Sequence, residues 1–305
     1  MRIAVFPGQG SQSPGFLSPW LEREGTVDRL EQFSEWSGVD LVAAGTEWDA
    51  DRIRDTQVAQ PLIVAASLLS WSSLPERESV SGVAGHSVGE FAAAAAAGIL
   101  SEEDALRLVG IRGRAMAEAA AAEETGMSAV IGGDEASVVA RLEELGLTPA
   151  NYNGGGQLVA AGALDALAAL SSEPPSGTRV IPLQVAGAFH TRYMSPAVET
   201  LRAAASRVEA FDPRLIIWSN RDGSAVSSGS TFVDLLVDQV ASPVRWDLCM
   251  TSFASVGVSG IVELSPAGTL TGLAKRALRG IPAVAVKTPE DLQAAGSLLG
   301  DAADA

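Results

Sequence analysis

The densest group of potentially reactive residues is "GVAGHSVGEF", Gly82 to Phe91, where Ser87 stands between Gly85 and Gly89 with His86 directly before it. G-x-S-x-G between a strand and a helix is the pattern of a nucleophile elbow. The turn is so sharp that its flanks have no room for side chains, and it lifts the serine hydroxyl to the head of the helix. The N–H of Val88 then points where an oxyanion would form. A strand-to-helix turn that uses glycine for geometry alone gives the same letters. A serine of ordinary pKa needs a base, and the chain holds two histidines, His86 and His190. The neighbour of a nucleophile on such a turn points away from the reacting face. That favours His190, in "VAGAFHTRYMSP", although a histidine in a loop can equally be a satisfied core or surface residue. Arg112 is the third candidate: in a helix expected over 102–122 it falls on the apolar side, one turn from Leu108, Val109, Ala115 and Met116. A buried guanidinium needs an anion. An internal carboxylate, Glu90 or Glu118, is one reading; a substrate carboxylate gripped bidentately is the other.

Composition narrows the field. The 305 residues are 47% hydrophobic, enough for a sizeable core, and carry a formal net charge of −16, which argues against general affinity for nucleic acid. One cysteine, Cys249, and two histidines leave little for a disulfide or a metal centre, so neither metal nor cofactor is expected. Of the 21 cations, only Lys275 and Lys287 are lysine. Arginines placed singly still grip small anions within an acidic protein. No segment reaches the length of apolar sequence that spans a bilayer, and "MRIAVFPGQG" meets a turn before a secretory core forms; a cytoplasmic protein is expected.

The elements that must carry these residues are legible as alternating strands and helices. "RIAVF" and "SVSGVAG" read as buried strands, 59–74 as a helix, and "SEED" as a capped start to the helix that bears Arg112. This order predicts an α/β fold with a mainly parallel sheet covered on both faces. Between Gly126 and Leu183 the texture becomes β-α-β-α-β, an inserted small α+β unit of ferredoxin-like size. The large domain is expected over 1–124 and 189–305 and the small one over 125–188. "RLIIWSN" and "GIVELSP" read as later strands, with helices at 195–208, 231–240 and 268–278; the tail "GDAADA" is expected to fray.

With those residues placed, seven ordered blocks resemble the malonyl-CoA:acyl-carrier-protein transacylases, the acyltransferase family of fatty acid and polyketide synthesis. They are "FPGQGSQSPGF", "GHSVGEF", "IRGRAM", "NYNGGGQLVAAG", "GAFHTRYMSP", "QVASPVRW" and "TLTGLAKRAL". They span essentially the whole chain and are similar to a stand-alone enzyme of actinobacterial type with an α/β-hydrolase-like large domain. The resemblance implies Ser87 as the acylated nucleophile and His190 as its base. It implies Gln9 and Val88 as the backbone oxyanion donors, Arg112 as the holder of the malonyl carboxylate, and the Gln239 carbonyl as the group that orients the histidine. His86 becomes a structural companion of the serine, and Asn153 lines the pocket from the small domain. Val88 and Phe189 accompany malonyl selectivity in similar enzymes, where methylmalonyl enzymes tend toward Gln and Ser.

The implied reaction moves a malonyl group from malonyl-CoA, a substrate rather than a cofactor, to the phosphopantetheine thiol of acyl carrier protein. An acidic carrier meeting this acidic chain needs a local cationic patch, for which Arg192, Lys275, Arg276 and Arg279 are candidates, on what is expected to be a monomer. Rival readings are a thioester or editing hydrolase of the same fold and a methylmalonyl-specific acyltransferase. The sequence departs from the family before the last of these helices, where Gly-Pro-Gly is common and Ser265-Pro266-Ala267-Gly268 stands here.

Overall fold

The structure, a computed structural model, describes residues 1–300. The tail expected to fray lies, beyond Gly300, outside the described residues. Two sheets organise the chain, from strands β1 (Arg2–Phe6), β2 (Gly82–Gly85), β3 (Thr125–Gly132), β4 (Thr148–Gly154), β5 (Gln157–Ala163), β6 (Thr178–Pro182), β7 (Ile216–Trp218), β8 (Ala225–Val226), β9 (Val244–Arg245), β10 (Gly260–Glu263) and β11 (Ala283–Ala285).

The larger sheet runs β11-β10-β1-β2-β7-β8; its first five strands are parallel and β8 returns antiparallel along β7. Side chains alternate across it as strand geometry requires. Ala4, Phe6, Val83 and Ile217 enter the core that holds Trp20, Phe33 and Phe91, while Ile3, Val5, Ala84 and Trp218 face the opposite core around Trp246 and Phe253. Both faces are therefore dry, which is why Ile3–Phe6, Val83–Ala84 and Ile261–Val262 read as unbroken apolar runs. Each fully buried Leu, Ile or Phe contributes about 1.5–3 kcal/mol. The helix Thr56–Ser73, capped by Asp55, lies buried through most of its length, and Glu102–Ala120 packs along it. Ser101 caps the latter by accepting from the Asp104 N–H at 3.0 Å.

The smaller sheet runs β6-β3-β5-β4-β9. Its first four strands form β-α-β-β-α-β with the helices Glu135–Glu144 and Leu164–Ser172, the ferredoxin-like order. Leu158 and Ala160 of β5 face those helices, and Val159 and Ala161 face the large core. Two features differ from the sequence reading. An additional strand, β4, was hidden because "TPANYNG" carries proline, two asparagines and a glycine, residues depleted in strands. It turns into β5 through Gly154, Gly155 and Gly156, all at positive φ. The fifth strand, β9, comes from residues 244–245, outside the 125–188 segment, and pairs parallel with β4.

Candidate active site

The site gathers at the carboxyl ends of β1, β2 and β7, where open α/β sheets bind their ligands. At the end of β2 the chain reverses through Ser87, held at φ 51, and enters the helix Gly89–Ala96. A Cβ on Gly85 would overlap the backbone of Gly89 and Glu90, and one on Gly89 would overlap the Phe6 carbonyl. The two glycines are thus steric necessities. Asn220, just beyond β7, braces the turn: its Oδ1 accepts from the Ser87 N–H and its Nδ2 donates to the Gly85 carbonyl, each at 2.7 Å.

His190 comes from the loop after the small unit, also with positive φ, 61°. Its Nε2 lies 2.7 Å from Ser87 Oγ, and its Nδ1–H donates to the Gln239 carbonyl at 2.8 Å. The second bond fixes the tautomer, leaving the Nε2 lone pair to accept the serine proton. Burial, and then the charge of Arg112, pull the imidazole down to about 3, so the resting imidazole is neutral. His86 also borders the cavity, but its ring is engaged by other partners than the serine. Its Nε2 pairs with Asn153 Oδ1 at 2.9 Å and its ring meets Trp246 edge-on.

Arg112 is 1% exposed. Its Nη1 donates to Gln60 Oε1 at 2.6 Å and its Nη2 to Gln239 Oε1 at 3.0 Å, while Nε has no partner. Among the described residues no carboxylate pairs with it directly, and Glu118 is exposed. Glu90 is buried and meets the guanidinium through an intervening amide: Gln239 Nε2 donates to Glu90 Oε2 and Gln239 Oε1 accepts from Arg112. Burial pushes the Glu90 carboxyl upward, opposed by donors from Asn220 and Gln239 and by the charge of Arg112.

Ser87, His190, Arg112, Gln9, Val88 and Phe189 line one cavity of about 90 Å³, together with Gln60, Met116, Asn151, Leu183 and Val185. Among the described residues no acceptor takes the backbone N–H of Gln9 or Val88, so both are open to a ligand. The Gln9 side chain reaches the Arg54 carbonyl and Thr56 Oγ1, which anchors its loop. The sequence reading put Asn153 in the lining; its side-chain carbonyl is instead spent on His86, and Asn151, two residues earlier in β4, borders the cavity with Oδ1 buried and unpartnered. Gln60 and Asn220 were missed. The first had a signal, a lone amide in the apolar stretch 58–66 of its helix, and the second stands just past the carboxyl end of a sheet strand. Arg192, Lys275, Arg276 and Arg279 are exposed, with Arg276 against the Gly155 turn. No described helix is long and apolar enough to cross a membrane, and among the described residues no cluster of His, Cys, Asp and Glu could hold a metal ion.

Comparison with known proteins places this geometry in company. Residues 3–301 match the acyl transferase domain family. Over 302 residues, 98% of this chain and 100% of the relative, the sequence is 51% identical to the malonyl CoA-acyl carrier protein transacylase of Mycobacterium tuberculosis. The crystal structure of MCAT from Mycobacterium tuberculosis superposes with a TM-score of 0.93 at 50% identity, covering 97% of this chain and 100% of that one. A type II PKS acyl-carrier protein in complex with its malonyl-transacylase, PlMCAT:AntF, gives a TM-score of 0.91 at 30% identity over 97% of this chain and 99% of that one.

Proposed function

The chain belongs to the malonyl-CoA:acyl-carrier-protein transacylases of the acyl transferase family, and we propose on that premise how its residues move the malonyl group from CoA to acyl carrier protein. The observation that carries the reading is the 2.7 Å contact of Ser87 Oγ with His190 Nε2 in a cavity shared with an incompletely satisfied arginine. Ser87 attacks the thioester carbonyl as His190 takes its proton, and the oxyanion rests on the N–H groups of Gln9 and Val88. The C–S bond breaks, and CoA leaves as a thiol with the proton returned from His190. The pantetheine thiol of the carrier protein then gives its proton to His190 and attacks the malonyl ester; Ser87 departs and recovers that proton. The Gln239 carbonyl stabilises the imidazolium in both halves, in place of a triad acid.

Arg112 receives the distal carboxylate. The carboxylate also offsets the charge that depresses His190, so binding the correct acyl group strengthens the base beside it. Acetyl-CoA leaves the guanidinium buried with amide partners but no counter-charge, which selects against it. Phe189 and Val88 narrow the cavity against the added methyl of methylmalonyl. The cycle calls on no cofactor, because nucleophile, base, oxyanion donors and carboxylate holder all come from side chains and backbone of one chain, which suits a monomer. Arg192, Lys275, Arg276 and Arg279 form the cationic face for the acidic carrier.

Intact mass after brief incubation with malonyl-CoA alone tests the first half-reaction. One malonyl group should appear on the wild type and none on Ser87→Ala; CoA release without an adduct would mean hydrolysis instead. Adding carrier protein should discharge the adduct, and Lys275→Glu with Arg276→Glu should slow discharge by several-fold at low salt. Unaltered discharge would remove the patch.

A further inference from the structure

Glu90 lies beneath the nucleophile turn, and the reaction as described does not use it. Both of its oxygens accept: Oε1 takes the Asn220 N–H at 2.6 Å and Oε2 takes Gln239 Nε2. The Gln239 amide has little freedom. Its Nε2 also donates to the Ser87 carbonyl at 3.1 Å, and its Oε1 faces Arg112 at 3.0 Å. Reversing it would set an amide oxygen against the carboxyl and a carbonyl, and an NH2 group against a cation. We propose that Glu90 is a positioning residue for acyl selectivity, fixing the Gln239 side chain so that Arg112 is held ready for a carboxylate-bearing acyl group. The proposal rests on Arg112 as the carboxylate holder.

The intervening amide explains a feature that a direct ion pair would not give. A glutamate placed against Arg112 would occupy the bidentate edge of the guanidinium and compete with the substrate. With Gln239 between them, the carboxyl orders the arginine while using only one of its five N–H donors, and Gln60 uses one more. The Nε–H stays unpartnered in the buried site. Gln239 therefore serves twice, with its main-chain carbonyl on the base and its side chain on the arginine. Only the side-chain half depends on Glu90.

Glu90→Gln is the discriminating variant. The amide it introduces keeps an oxygen for the Asn220 N–H but turns an NH2 group on Gln239, which must rotate and present a donor to Arg112. Serine acylation by malonyl-CoA and by acetyl-CoA, followed by intact mass, should show the malonyl-to-acetyl ratio of kcat/KM fall by tenfold or more, with the malonyl loss mainly in KM. Equal loss on both donors, or none on either, overturns the proposal, because a merely structural Glu90 would not discriminate. Arg112→Ala run alongside separates the two readings: a ratio unchanged there sinks the carboxylate-holder reading itself, and the proposal with it. If Glu90→Gln alone does not fold, the double variant with Arg112→Met decides. Without the arginine Gln239 is free to reverse, so the double should fold and melt cooperatively; a double that also fails to fold overturns the coupling.

Discussion

The turn that carries Ser87 and the loop that carries His190 solve the same problem by different means. Each presents one side chain of the proposed catalytic pair from a residue in the left-handed region, at φ 51 and 61 respectively. The serine turn is held first by exclusion, with Gly85 and Gly89 against backbone, and Asn220 adds two hydrogen bonds to it. The histidine loop is held mainly by polar contacts. Thr191 Oγ1 donates to the Ala188 carbonyl at 2.6 Å, the Ala188 N–H donates to Thr125 Oγ1 at 3.0 Å, and the imidazole itself is anchored on Gln239. Exclusion by backbone leaves an obligatory glycine pattern, whereas polar anchoring leaves residue types that occur anywhere. The first is visible in sequence and the second is not.

The largest effect should come from exchanging the roles of the two histidines. His190→Ala removes the proposed base and should lower kcat on the order of 10⁴-fold. His86→Ala, one residue from the nucleophile, loses the bond to Asn153 and the edge contact with Trp246, and should cost about 1–2 kcal/mol of stability with less than about tenfold in turnover. Steady-state kinetics with thermal melts on both variants check this. A His86→Ala as inactive as His190→Ala would erase the distinction between the two regions.

The two ways of holding a turn should also differ in what they tolerate. Gly89→Ala drives a methyl into the Phe6 carbonyl of β1 and should cost about 3 kcal/mol or more, with loss of serine acylation. Gly187→Ala, in the histidine loop, meets the Ala120 methyl at 2.8 Å, a less severe overlap than the backbone carbonyl at Gly89 and at the last residue of its helix. About 1 kcal/mol is expected there. Equal costs would show that the histidine loop is as sterically fixed as the elbow.

The same contrast explains how much was legible. The alternation of strands and helices, the elbow and the helix face of Arg112 follow from periodicity and steric need, and each leaves a local mark. The companions of Arg112 do not. Gln60 and Gln239 stand 52 and 127 residues from it, and Glu90 stands 149 from Gln239; they meet only when the sheet brings their helices together, so no spacing rule finds them. Glu90 was weighed as a direct partner of Arg112, and the intervening amide was invisible because an amide's orientation is set by its neighbours in space. β4 escaped for a related reason: its pairing with β5 and β9 outweighs poor strand propensity.

The smallest expected effect concerns pH, and it tests whether polar anchoring also sets the chemistry of the base. Burial and Arg112 hold His190 at about 3, far below the unfolded value of 6.5. Between those values the unfolded chain binds more protons, so His190 contributes stability that is present above pH 6.5 and is lost as pH falls toward 3. For the same reason kcat/KM for malonyl-CoA, which reports the free enzyme, should show no acid limb near 6.5. Arg112→Met removes one cation that opposes protonation, so the limb in that variant should move upward toward 6.5 when acylation by acetyl-CoA is followed. The serine turn offers no such lever, because exclusion by backbone carries no charge. If the limb stayed where it is in the wild type, Arg112 would not act on the base at all, and the two regions would share a cavity without sharing an electrostatic field.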